Sequence, residues 1–77
     1  MLTTDFSGTY DYEQEEALEA AQSIHAAWAE GYYTADELAD VVRKERVHWK
    51  KFLPETFDDW DTHFVREITS LIGYMPS

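Results

Sequence analysis

The sequence predicts an all-α protein, a compact three-helix antiparallel bundle with a short irregular N-terminal arm. Three observations carry that expectation. Apolar residues recur at helical spacing in three successive stretches. Capping or helix-breaking residues punctuate those stretches. The 77 residues, 44% hydrophobic and 16% aromatic, supply enough apolar material for one core and too little length for a second domain. The chain is therefore read as a single acidic helical domain over residues 1–77.

Residues 1–10 mix small polar residues with Gly8 and keep no period, which marks the arm. The first helix is expected over 12–29, because Ala17, Ala20, Ala21, Ile24, Ala27 and Trp28 share one stripe. Asp11 is its candidate N-cap, and Gly31 suits a left-handed residue past its end. The second helix is expected over 34–53. Thr34 and Glu37 have the spacing of a capping box, Leu38, Val41, Val42, Trp49, Phe52 and Leu53 carry its apolar face, and Pro54 stops it. The third is expected over 55–72, entered through Pro54 in the first turn or through Thr56 as N-cap. Its face is Phe57, Trp60, Phe64, Ile68 and Leu71, widened by Val65 and Ile72, and Gly73 and Pro76 end it. Small alanines on the first helix and large aromatics on the third imply close approach on one side of the core and bulky filling on the other.

Charge is distributed unevenly. Sixteen acidic residues against six basic ones leave a formal charge of −10. Five of the six cations, Arg43, Lys44, Arg46, Lys50 and Lys51, fall within 43–51 beside a single carboxylate, Glu45, so that segment carries +4 and the rest of the chain −14. This basic ridge either neutralises acidic neighbours inside the bundle or forms a patch for an acidic surface. Internal neutralisation is the expectation. The carboxylates gather in the first helix (Asp11, Glu13, Glu15, Glu16, Glu19) and at the head of the third (Glu55, Asp58, Asp59, Asp61), without close basic neighbours in sequence. Residues three or four apart on a helix lie about 5–6 Å from each other, so Glu15 with Glu19 and Asp58 with Asp61 are spaced on the scale of successive phosphates. Such clustering serves either solubility or a binding surface that imitates a nucleic acid.

Several function classes are excluded as expectations. A charge of −10 repels nucleic acid and anionic membranes, so no direct nucleic-acid binding and no membrane association are expected. No apolar run approaches a membrane span, the N-terminus lacks an export signal, and a cytoplasmic location follows. Without cysteine there is neither a disulfide nor a thiolate nucleophile. Acyl and peptidyl carrier proteins share this size and acidity, but their Asp-Ser-Leu attachment motif is missing; the nearest match, Thr69-Ser70-Leu71, lies at the end of the last helix. Asp59 and His63, four apart, offer two ligands on one helical face, but no Ca²⁺-loop glycine or terminal Glu accompanies them, so no metal and no cofactor are expected. His25 and His48 read as packing or surface residues. So short a bundle leaves little room for an enclosed catalytic pocket, and no enzymatic activity is expected.

Tyr10, Tyr12, Tyr32 and Tyr33 fall outside the apolar stripes. They either cover the ends of the bundle or serve as contact residues at a protein interface. Tyr32 and Tyr33 ahead of an acidic helix start are also similar to a feature of colicin-type immunity proteins.

Taken with the Asp/Glu groups, these features resemble small acidic phage-encoded counter-defence proteins, the anti-CRISPR and antirestriction proteins of the nucleic-acid-mimic type. The resemblance is one of class, without a diagnostic motif. It implies a stoichiometric inhibitor working in the host cell cytoplasm, whose partner is a basic nucleic-acid-binding protein or a ribonucleoprotein complex. Glu13, Glu15, Glu16, Glu19, Asp58, Asp59 and Asp61 would meet the partner's Arg and Lys, with Tyr32 and Tyr33 as further contacts. The alternative expectation is a small helical adaptor or assembly module whose acidity serves only solubility.

Overall fold

The computed structural model describes residues 11–76, and within them three helices follow in order: α1 (Tyr12–Ala29), α2 (Ala35–Phe52) and α3 (Phe57–Ile72). The expected irregular arm at 1–10 lies outside the described residues.

Each helix boundary has a local cause. The Asp11 side chain accepts the Gln14 backbone N–H at 3.1 Å and opens α1. At its end the Glu30 N–H bonds the Ala26 carbonyl, and Gly31 turns the chain at φ +86°, a conformation that a side chain disfavours. The Thr34–Glu37 capping box is reciprocal: Thr34 Oγ1 accepts the Glu37 N–H at 3.2 Å, and Glu37 Oε1 accepts the Thr34 N–H at 2.9 Å. Asp36 and Glu37 stand in the first turn of α2 and Lys50 and Lys51 in its last, so both ends complement the macrodipole. α3 begins at Phe57, two residues later than the sequence pattern suggested. Pro54 and Glu55 belong to the preceding turn, closed by the Thr56 N–H on the Leu53 carbonyl at 3.3 Å. Thr56 is the N-cap residue, yet its side chain makes no capping bond. Gly73, at φ +100°, ends α3 in the left-handed conformation that favours glycine.

Consecutive helices run antiparallel, which leaves α1 and α3 parallel. Asp11 at the start of α1 lies beside Asp59 and His63 near the start of α3. Further along, the Gln22 side chain of α1 meets Glu67 of α3 at 3.4 Å. These two helices form the most extensive contact, with α2 touching both less broadly. Ala17 and Ala21, fully buried on α1, present no bulk beyond Cβ and allow that close approach. The wider space toward α2 is filled by aromatic rings. Trp60 stacks on Phe64 at 4.6 Å between centroids and on Trp49 of α2 at 5.3 Å, and Phe57 extends the stack at 5.8 Å. Leu38 and Val42 from α2, with Ile24 and Ile68, complete the buried set.

Four residues of the expected apolar faces are not in the core: Ala27, Val65 and Leu71 are half-buried outside the packed set, and Phe52 departs furthest. Phe52 is 58% exposed. The inward stripe of α2 passes from Trp49 to Leu53, four residues on, and Phe52 falls about 100° away from Leu53 around the helix. Its ring stacks against His48 at 6.2 Å and meets the edge of Trp49 at 5.5 Å.

Candidate functional site

The acidic residues of α1 point in different directions because successive residues turn by about 100°. Glu16 and Glu19 line an open groove between α1 and α2, of about 440 Å³. Glu15 is exposed outside it, and Glu13, one turn before Glu16, is half-buried. The floor of the groove is apolar, formed by Ala20, Ile24 and Trp49, with Ser23 at its side. From α2 comes a third carboxylate, Glu45, whose Oε2 accepts the Trp49 indole N–H at 2.9 Å. That bond holds Glu45 over the groove. Among the described residues no Lys or Arg forms an ion pair with Glu16, Glu19 or Glu45.

The basic ridge only partly plays the neutralising role expected of it. Among the described residues, Arg46 alone carries an ion pair to another helix. Its Nε and Nη2 donate to the two carboxylate oxygens of Asp61, each at 2.8 Å. The hydrogen bond to Asp61 holds the Arg46 guanidinium above its ordinary pKa, aided by Coulomb attraction and opposed by burial. Arg43 and Lys44 both pair with Asp40 on their own helix. Lys50 and Lys51 are exposed and form no ion pair among the described residues. The ridge lies along α2, and an antiparallel hairpin turns only part of that helix toward acidic neighbours; this is why the neutralisation narrows to one bridge.

Two of the expected contact groups separate. Asp61 is committed to Arg46, while Asp58 and Asp59 are exposed. Asp59 joins Asp11 and His63, whose ligand-type atoms all lie within 4.8 Å of one another. The sequence pairs Asp59 with His63; Asp11 joins them only because α1 and α3 start side by side. This is a small two-carboxylate, one-imidazole cluster on half-exposed ground, with His63 Nε2 at 3.7 Å from Asp59 Oδ1 and Asp11 Oδ1 engaged by Gln14. Tyr32 and Tyr33 stand at the other end of α1, so an 18-residue helix, about 27 Å long, separates them from Asp58 and Asp59. Tyr33 packs against the core as a cover for the bundle end. Tyr32 is 71% exposed.

Sequence reasoning missed Glu45 and Trp49 as members of an acidic groove. Glu45 sits within a basic run and Trp49 on an apolar stripe, so in the sequence neither stands out as a site residue. The available signal was their spacing of four, which places an indole donor beneath a carboxylate on one helical face. Among the described residues no helix is long and apolar enough to cross a membrane. The chain matches no protein-family model, no curated protein and no solved structure.

Proposed function

We propose that the protein is an acidic binding inhibitor that occupies the nucleic-acid-binding surface of a host defence complex, a CRISPR effector or a restriction enzyme, by charge mimicry. It acts by binding and not by turnover. The observation that supports this reading most is the run of carboxylates on the parallel helices α1 and α3. Glu13, Glu15, Glu16, Glu19 and Asp58 have no cationic partner among the described residues. Holding like charges together costs stability, and a basic partner surface would relieve that cost on binding. Glu45 joins the contact set from the groove. Asp61 contributes less than its neighbours because Arg46 already neutralises it.

The adaptor reading has its own support in two exposed apolar side chains of α2, Val47 and Phe52, which are 52% and 58% exposed. One experiment separates the two. Binding to a panel of purified CRISPR effector and restriction complexes is measured by competition with labelled target DNA or guide-paired nucleic acid. The mimic reading expects displacement that weakens as salt rises. It also expects loss of displacement when Glu15, Glu16 and Glu19 are together changed to Lys, with the helical circular dichroism spectrum retained. Normal binding by that variant, combined with loss of binding in Phe52→Ser or Tyr32→Ala, would replace mimicry by adaptor function.

A further inference from the structure

We propose that the groove between α1 and α2 is the receptacle for an arginine side chain presented by the protein partner. The proposal rests on the reading of the protein as a binder of basic surfaces and names the chemistry of one contact within it.

The groove's composition selects its occupant. An apolar floor of Ala20, Ile24 and Trp49 lies beneath three carboxylates, Glu16 and Glu19 from α1 and Glu45 from α2. A purely apolar side chain would strip water from those carboxylates without replacing it. A small inorganic cation would meet the carboxylates but leave the floor uncovered. The side chain that satisfies both has an alkyl stem and a cationic head, which restricts the choice to lysine and arginine. Arginine fits better for two reasons. Its planar guanidinium carries five donors against the three of an ammonium, which suits a groove lined by three carboxylates. It is also more weakly hydrated than an ammonium group, so it enters a half-apolar groove at lower cost.

The groove is also held ready. Glu45 is fixed by the Trp49 indole bond at 2.9 Å, and Trp49 is fixed by its stack on Trp60. The Glu45 acceptor used by the indole is Oε2, which leaves Oε1 for the incoming guanidinium. Charge complementarity is one-sided, since no basic residue lines the groove.

The test uses the full chain alone, in about 0.15 M salt, which approximates physiological screening. The probe is a blocked pentapeptide with one central arginine, compared with the same peptide carrying lysine or citrulline. The readout is the indole N–H resonance of Trp49, with the sealed indole of Trp60 as an internal reference. The expected result is a saturable shift of Trp49 with a dissociation constant below about 10 mM. Lysine should bind several-fold more weakly, and citrulline, isosteric but neutral, should not saturate. Glu45→Gln keeps an acceptor for the indole and removes the charge; it and the Glu16→Gln/Glu19→Gln pair should each weaken the arginine peptide at least tenfold. Glu30→Gln, an equal charge change at the far end of α1, should leave it unaltered. Equal binding of arginine and citrulline, equal binding of arginine and lysine, an equal loss from Glu30→Gln, or no Trp49 shift would each overturn the assignment. Because no partner complex enters the experiment, its result is separate from that of the competition assay: the groove can fail while mimicry by other carboxylates stands, and arginine can bind while no nucleic acid is displaced.

Discussion

Truncating Trp60 tests the packing account most directly. The side chain is fully buried and stacks on Phe57, Phe64 and Trp49, so it connects α3 to α2. A buried tryptophan withdraws about 150–250 Å² from water, worth roughly 4–6 kcal/mol at 25 cal/mol per Å² as an upper bound. One term opposes this. Trp60 Nε1 is buried with no hydrogen-bond partner among the described residues, which costs about 1–3 kcal/mol. Trp60→Ala should therefore destabilise by about 3 kcal/mol, in the lower part of the usual range for such truncations. A domain of 77 residues has a total stability of about 4–12 kcal/mol, so this change removes a large share of it. Trp60→Phe keeps a stacking ring and deletes the unpaired donor, and should cost less than about 1.5 kcal/mol. Urea unfolding followed by circular dichroism at 222 nm measures both, with an unchanged slope as the condition for comparison. A cost below about 1 kcal/mol for Trp60→Ala would refute the stacked core. Equal costs for Ala and Phe would refute the argument about the buried indole donor.

Thr34→Ala removes the acceptor for the Glu37 N–H and should lower stability by about 1 kcal/mol, whereas Thr34→Ser should retain most of it; thermal melts of the two variants check this. The Arg46–Asp61 bridge, bidentate but with Arg46 about a third exposed, should show a coupling energy of about 1 kcal/mol in a double-mutant cycle with Arg46→Met and Asp61→Asn. Because the folded-state pKa of Arg46 is raised, its contribution is present below the unfolded value and lost only as pH climbs through the folded one. The coupling measured at pH 7 should therefore persist at about pH 10, a pH still below an arginine's ordinary pKa. A coupling that vanishes by then would show that the bridge does not form as described.

How much of this was legible in the sequence depends on whether the cause is local. The three helices, the Thr34–Glu37 box and the left-handed glycines 31 and 73 are set by residues within a few positions of one another, and each is present as the local pattern implies. The start of α3 was harder to place, since Pro54, Thr56 and the turn closed on Leu53 compete for the same few residues. Phe52 was misplaced because two adjacent apolar residues, Phe52 and Leu53, end one stripe and only tertiary packing selects between them. The candidate site was the least legible part. Glu16 and Glu19 were recognisable as carboxylates, but the groove exists only after α2 folds back to bring Glu45 and Trp49 opposite them. The same folding removes Asp61 from the free acidic set and adds Asp11 to Asp59 and His63, none of which a spacing rule along one helix can express.

The closest helix pair, α1 with α3, joins the two ends of the described chain. The Gln22–Glu67 contact spans 45 positions, long for an all-helical protein, in which neighbouring helices usually make most of the contacts. Closing that loop rather than one a third as long costs about 1 kcal/mol of chain entropy, equivalent to a roughly fivefold slower search for the first native contact. The bundle should thus fold more slowly than its helix content suggests.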